Sequence, residues 1–485
     1  MKKLLISLLV ILIINACSSV EKEELGLDNN DIQNIIELQD KKDVKSLIGY
    51  FVNPSNELQA RACMAFASIK DSSALNSLYT MLEEDENVAQ AAAFAIGQTG
   101  SSSSIPPLKK VLERSMNEET RYQIFVAIGK CGDINENYFL ASNYNVGKDA
   151  RGTAWALFYL SRNEMINEAG IELAVKIIEN EKDPRTRLGA AQAIARSVLE
   201  KPWKSLLPLY KIEQDDDVQM ALASGLRGLD IDSLNSSLIK FLRSNSNNTQ
   251  INFIKAVHDL DSSLLVEYCT SNISLDKNIN LQIASAEYLA NYPDEVLVFI
   301  ASMPLDSLNW RVRTTLLAPI LTLQNDEFIN YARAQYMQSE NLYERGELLR
   351  LLATVTDQKE LLKKEILSHD SIIGTFGIIA FAGLMEDESR IEKQNEYPFL
   401  EACLASNSSA IVTYAAILLR DSVFIDDSYI QKLRSVRDSI QLPEMAEAQI
   451  ELSATIAYLE GSEDEKADPI SDHAINKEML SELQN

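Results

Sequence analysis

Histidine is the side chain best suited to moving protons near neutral pH, and the chain has three: His258, His369 and His473, each more than a hundred residues from the next. None lies in an H-E-x-x-H pattern or beside a serine or cysteine at a nucleophile-base spacing, so neither metal-assisted hydrolysis nor triad chemistry can be assembled from them. His258 lies in a helical stretch and reads as an ordinary half-buried side chain. Gly147-Lys148 lacks both the upstream glycine and the following hydroxyl residue of a phosphate-binding loop. Asp215, Asp216 and Asp217 lack the alternating ligands and glycine of a calcium loop and read as a solvated turn. With 71 Asp and Glu, carboxylates are too abundant to single out an acid and a base. The sequence therefore nominates no catalytic residue, no cofactor-binding residue and no metal ligand, and the expectation is a chain that is not an enzyme.

Chemistry of another kind is expected at Cys17. Lys2 and Lys3 precede an apolar stretch, Leu4 to Ile14, interrupted only by Ser7, and Ile14-Asn15-Ala16-Cys17 follows at once. The run is too short to span a bilayer. The arrangement resembles the lipobox of bacterial lipoproteins, which implies that residues 1–17 are a signal segment cut before Cys17 and that the Cys17 thiol carries a diacylglycerol. An ordinary cleaved signal peptide with an incidental cysteine is the alternative. Residues 18–30, with Ser18, Ser19, Glu21, Glu23 and Glu24, read as a polar tether. Acidic residues there resemble the surface-export signals of Bacteroidetes lipoproteins, but a short charged linker is the preferred reading. The expected location is the bacterial cell envelope, lipid-anchored, on the periplasmic face or the cell surface.

The remaining cysteines, Cys63, Cys131, Cys269 and Cys403, form no C-x-x-C pair, and each sits in or beside an apolar helical stretch as a small hydrophobe would. A net charge of −26 repels nucleic acid and disfavours electrostatic adhesion to anionic lipid, so membrane attachment falls to the lipid alone. Only 17 Gly and 12 Pro in 485 residues favour helices over turn-rich β folds.

The elements that must organise these residues announce themselves as repeats. AAAFAIGQTG at 91–100 recurs as QIFVAIGKCG at 123–132, sharing Ala-Ile-Gly-x-x-Gly. Related Ala-rich segments lie at 62–69, 152–160, 188–198 and 220–229, and the anchors Ala67, Ala95, Ala127, Ala156, Ala193 and Gly225 are spaced by 28 to 37 residues, the length of one helical hairpin. Within a unit the first helix reads Ile105, Leu108, Val111, Leu112 and the second Tyr122, Phe125, Val126, Gly129, both with helical spacing. Turns at Asn53-Pro54, Glu118-Glu119, Asp183-Pro184 and Asp215 to Asp217 stop one helix and cap the next. Small residues in the second helices allow close approach of neighbouring hairpins, and Gly100 and Gly132 are expected to be left-handed helix ends. A lone hairpin cannot bury both faces, so the units must stack.

AAAFAIGQTGSSSSIPPLKKVL, from Ala91 to Leu112, resembles the HEAT-like repeats of the phycobilisome-lyase type. The Trp, Gly-Tyr and Pro signature of tetratricopeptide repeats, the rival of similar period, is not in register. The pattern is clear from Val44 to about Asp230 and looser to Tyr458, which predicts an all-α solenoid of about thirteen stacked hairpins over residues 31–461 and a charged tail over 462–485. The whole layout resembles Bacteroidetes lipoproteins in which a HEAT-like array precedes a cyclophilin-type peptidyl-prolyl isomerase domain. The isomerase signature occurs nowhere in these residues, so the resemblance carries over no catalytic residue and implies a truncated or scaffold-only member.

Arg61, Arg121, Arg151 and Arg187, near the starts of second helices, are expected to bond acidic or carbonyl groups of adjoining repeats. Trp155, among Ala154, Ala156 and Leu157, is expected in the core, whereas Trp203 and Trp310 are candidate partner contacts. The expected function is a lipid-anchored, non-catalytic scaffold that presents an extended surface to a protein or peptide partner, with no nucleic acid and no cofactor.

Overall fold

In the computed structural model the described residues are 29–461, apart from 115, 276–277, 356–358, 369, 387–389, 421–426 and 442. Cys17, the tether up to residue 28, His369 and the tail from 462, with His473, lie outside them. The described chain falls into two compact units, divided between Asp261 and Ser262.

The first unit opens with α1 (Asn30–Asp40), capped by Asn29 one residue ahead of the expected start. Seven hairpins follow: α2 (Val44–Gly49) with α3 (Asn56–Ile69), α4 (Leu75–Met81) with α5 (Glu86–Thr99), α6 (Ile105–Val111) with α7 (Glu118–Cys131), α8 (Glu136–Asn143) with α9 (Ala150–Arg162), α10 (Glu168–Asn180) with α11 (Pro184–Arg196), α12 (Trp203–Ile212) with α13 (Asp216–Ser224), and α14 (Ser236–Leu242) with α15 (Asn247–Ala256). The second unit contains α16 (Ser263–Leu275) with α17 (Ile279–Leu289), α18 (Pro293–Ser302) with α19 (Trp310–Thr322), α20 (Asp326–Gln338) with α21 (Leu342–Ala353), and α22 (Lys359–Ile366) with α23 (Ser371–Glu386). It ends with α24 (Arg390–Asn395) and α25 (Tyr397–Cys403) against α26 (Ser409–Leu419), then α27 (Asp427–Ser439) with α28 (Ala446–Glu460). Thirteen hairpins result, and among the described residues there is no β-strand beyond one isolated bridge, Asn145 to Lys148.

Each hairpin contributes a first helix to one layer and a second helix to another. The second helices pack in succession, α3 on α5, α7, α9, α11, α13 and α15 in the first unit and α17 on α19, α21, α23, α26 and α28 in the second. Each unit is thus an α-solenoid. Of the turn expected at Asp215 to Asp217, Asp215 caps α13 and Asp216 and Asp217 form its first turn, and this acidic stretch, like that at Glu83 to Glu86, joins a first helix to a second.

Small residues set the spacing of the second-helix layer. A Cβ on Gly97 would stand 3.1 Å from Ala127 Cα, and one on Gly129 would stand 2.6 Å from Ala156 Cα, so the Gly of each Ala-Ile-Gly segment seats against an Ala of the following second helix. Gly100 ends α5 with φ +65°, the left-handed cap expected. Gly132 does not: it is extended, at φ −77°, and is glycine for space, since a Cβ there would meet Ile128 O at 2.6 Å and Glu136 Cγ at 2.8 Å. The four internal cysteines are buried and form no disulfide among the described residues, and burial raises the Cys63, Cys131 and Cys403 thiols to about 12, 11 and 12.

Candidate functional site

The starts of the second helices are stitched by a recurring device. Ser55, Asn117, Asp183, Asp215, Ser246, Asn278 and Asn309 cap these helices through their side chains. Four residues beyond each cap stands Gln or Arg, whose side chain donates to carbonyls at the end of the preceding segment. Gln59 reaches Asn53 O (2.8 Å), Arg121 Leu112 O (2.8 Å), Arg187 Lys182 O (2.6 Å), Gln219 Glu213 O (3.3 Å), Gln250 Asn245 O (2.9 Å) and Gln282 Ile273 O (3.1 Å). These carbonyls would otherwise be orphaned at helix ends. Three of the arginines also grip a carboxylate of the next repeat: Arg121 Nε on Asp149 Oδ1 at 2.6 Å, Arg187 Nε on Glu213 Oε2 at 2.8 Å, and Arg313 Nε on Glu344 Oε1 at 3.0 Å. Asp149 spends its carboxylate on Arg121, makes no side-chain cap to α9, and adopts φ +57°.

The structural role expected of the arginines therefore holds for Arg121 and Arg187, and for Arg151, which bonds Glu119 of the preceding repeat. Arg61 stands two positions beyond Gln59, faces solvent, and does not take part. Arg151 sits only two residues past its cap and turns outward, over the Tyr122 ring at 4.1 Å and 3.1 Å from Glu119 Oε2.

That outward side of the second-helix layer carries the site. On α9 the stripe Arg151, Trp155, Phe158, Tyr159, Arg162 has helical spacing and is half-buried or exposed, whereas Thr153, Leu157, Leu160 and Ser161 on the other side are buried. Trp155 is therefore not a core residue. Its ring packs edge-on to Phe158 at 5.3 Å and lies above Gly189, whose Cα leaves the room a Cβ would take at 3.1 Å from the indole nitrogen. Phe158 in turn meets Tyr159 at 5.1 Å, and Arg196 of α11 lies 5.5 Å from the Phe158 ring centre. Lys130 of α7 is held between two rings, 5.0 Å from Phe94 of α5 and 4.7 Å from Tyr159. Five half-buried aromatics, Phe94, Tyr122, Trp155, Phe158 and Tyr159, so form one face over three successive second helices, α5, α7 and α9.

The charge of this face runs against that of the chain. Lys70, Lys130, Arg162 and Arg196 lie at the C-terminal ends of α3, α7, α9 and α11, where the helix dipole favours cations, and none pairs with a carboxylate among the described residues. Burial lowers the Lys130 ammonium pKa, and the nearby Arg162 and Lys70 lower it further. A groove of about 440 Å³ opens beside it, bounded by Gly97, Gly100, Lys130, Tyr159, Arg162 and Asn163.

Neither of the two tryptophans expected to meet a partner belongs to this cluster. Trp203 opens α12, a first helix, half-buried with Lys204 5.4 Å from its ring centre. Trp310 opens α19 in the second unit, also half-buried, with Arg311 at 5.3 Å. His258, half-buried, has Nδ1 3.4 Å from Asp259 Oδ1. No group of three metal-ligating side chains occurs among the described residues.

The family model for HEAT repeats matches residues 44–129, the hairpins that build the first part of this face. No curated protein matches the chain. Similar solved structures include the karyopherin Kap121p bound to the SUMO protease Ulp1p, with 13% identity, TM-score 0.44, and coverage of 88% of this chain and 54% of that one. Kap121p bound to Pho4p gives 13% identity, TM-score 0.44 and coverage of 92% and 56%. The S. pombe condensin Cnd3-Cnd2 subcomplex gives 14% identity, TM-score 0.36 and coverage of 93% and 71%. The chain spans about half the length of the karyopherins it resembles.

Proposed function

We propose that this chain is a non-catalytic scaffold that holds a protein or peptide partner against the outward face of α5, α7, α9 and α11, and that a lipid on Cys17 tethers it in the bacterial cell envelope. The carrying observation is the convergence of five half-buried aromatics with Lys130 and Arg196, which no carboxylate among the described residues takes up. Large aromatics and arginine supply most of the energy of protein interfaces, and a rigid helix layer presents them without a folding cost. The leader pattern before Cys17 supports the anchor.

A photo-crosslinking amino acid at Gln123, on this face, tests the reading in intact cells. It is expected to give a discrete adduct that the same group at the exposed Lys110 of α6 does not, and Trp155→Ala should abolish it. Equal adducts from both positions, or an adduct indifferent to Trp155→Ala, would remove the support for the face. Trp203 and Trp310 are proposed as accessory contacts, so Trp203→Ala and Trp310→Ala should weaken the adduct without abolishing it. Cys17→Ala should release the protein from the membrane fraction; retention there would sink the anchor.

A further inference from the structure

We infer that the groove at the C-terminal ends of α5, α7 and α9 is a carboxylate-binding subsite for an acidic, extended segment of the partner, seated between Lys130 and Arg162. This deepens the scaffold reading and rests on it. The chain carries 71 acidic against 45 basic side chains, so a cation near its surface should readily find an internal partner. Four cations at the joints of the first unit, Arg121, Arg151, Arg187 and Lys109, are paired, with Asp149, Glu119, Glu213 and Glu136, whereas scattered exposed ones such as Arg61 and Lys110 are not paired among the described residues. Lys70, Lys130, Arg162 and Arg196 are left together on one edge. Like charges gathered beside a partly buried ammonium are unfavourable until an anion joins them, and a carboxylate brought to Lys130 would relieve both its desolvation and the repulsion from Arg162.

The geometry suits an extended chain. The Lys130 stem lies on Gly97, whose missing Cβ would stand 3.2 Å from Lys130 Cδ, and the two rings hold the ammonium at the groove wall. Gly100, with nothing within 4 Å of an added Cβ, leaves open space beside Gln98 at the groove wall, which lets a peptide backbone come close. Asn163 is fixed by donating from Nδ2 to Lys130 O at 3.2 Å. Phe158 and Trp155, beyond Tyr159, continue the face with aromatic surface for apolar residues flanking the acidic ones.

The test uses the full chain and a fluorescein-labelled, C-terminally amidated decapeptide with four Glu around one Phe, read by anisotropy. A second peptide replaces each Glu by Gln, and a third keeps Gln but has a free C-terminal carboxylate, which separates side-chain from terminal recognition. The Glu peptide should bind at least about tenfold more tightly than the amidated Gln peptide, and binding should weaken several-fold as salt rises from about 0.05 to 0.3 M. Lys130→Met, which keeps the stem in its slot, and Arg162→Gln should each weaken Glu-peptide binding about tenfold, whereas Lys110→Gln should leave it unchanged. Circular dichroism of each variant guards against unfolding. If the Gln peptides bind as well as the Glu peptide and Trp155→Ala abolishes both, the scaffold face stands and the carboxylate subsite falls. Glu-peptide binding indifferent to Lys130→Met and Arg162→Gln also overturns it, as does no binding of any peptide; the adduct at Gln123 then reports separately on the scaffold reading.

Discussion

Replacing Gly129 by Ala sets two physical effects of opposite sign against each other. Gly in the interior of a helix costs up to about 1 kcal/mol relative to Ala, so propensity alone makes Gly129→Ala stabilising. The packing says otherwise. The new Cβ would lie 2.6 Å from Ala156 Cα and 2.9 Å from its carbonyl carbon, with the carbonyl oxygen closer still. These are backbone atoms, which cannot rotate aside, so α9 must withdraw from α7 by several tenths of an ångström. Ile124, Phe125 and Ile128 on one side and Ala154, Leu157 and Leu160 on the other are buried at 3% exposure or less, and their contacts loosen together. Overpacking of this kind costs about 1–3 kcal/mol, and because the obstacle is main chain we expect the upper end, a net loss of about 2 kcal/mol after the propensity gain. With a urea m-value near 2 kcal/mol/M, the midpoint falls by about 1 M. Urea unfolding followed by circular dichroism and tryptophan emission measures it, Trp155 reporting on α9 itself. Gly383→Ala is the matched control: this glycine is inside α23 with nothing within 4 Å of its added Cβ, so it should gain up to about 1 kcal/mol. A Gly129→Ala protein as stable as its parent would refute the close approach of α7 and α9.

Arg121→Ala should cost about 2–3 kcal/mol by stranding Asp149 and Leu112 O, whereas Arg121→Gln combined with Asp149→Asn should lose much less, since Gln makes the same turn contact at Gln59 and Gln219 and Asn can cap α9; urea midpoints of the parent, Arg121→Gln, Asp149→Asn and their combination close the cycle. The Cys63, Cys131 and Cys403 thiols should resist a disulfide-exchange reagent at pH 8 and react fully in denaturant; fast native reaction would contradict their burial. Burial, with Arg227 adding repulsion, lowers Lys201 from 10.5 to about 8, so between those pH values the unfolded chain holds a proton that the folded one has shed. The Lys201 contribution to stability should therefore grow from about pH 8 to 10.5, while the buried Cys63, Cys131 and Cys403 thiols act in the opposite direction above about pH 9, so the pH-dependent urea unfolding of Lys201→Met, subtracted from that of the parent, should isolate the Lys201 rise. A proline-peptide assay of the purified chain is expected to show no acceleration of isomerisation.

The repeat architecture was open to reading because its signal is periodic. Ala95-Ile96-Gly97 and Ala127-Ile128-Gly129 recur since each second helix meets the next through the same small-residue contact, and a contact that repeats in space must repeat in sequence. The turn clasp repeats too, as a cap residue followed four positions later by Gln or Arg at Ser55 and Gln59, Asn117 and Arg121, Asp183 and Arg187, Asp215 and Gln219, and Asn309 and Arg313. Counting arginines alone hid it, because Gln does the same work and because Arg61 and Arg151 lie near the helix start without being in register. The aromatic and basic face was harder to see for a different reason. Phe94 and Trp155 each stand one residue before an anchor alanine, and Lys70, Lys130 and Arg196 each three residues after one, but the residue types at these positions change from repeat to repeat, so no recurring string marks them. Small neighbours make Trp155 look like core, yet Ala154 and Ala156 face adjacent helices and the indole points between them to the outside. Such a face becomes visible only when the stacking order places α5, α7, α9 and α11 side by side. Residues that build an array must obey its period, and residues that give one array its particular surface are free to change type within it, which is why the fold could be read from spacing and the face could not.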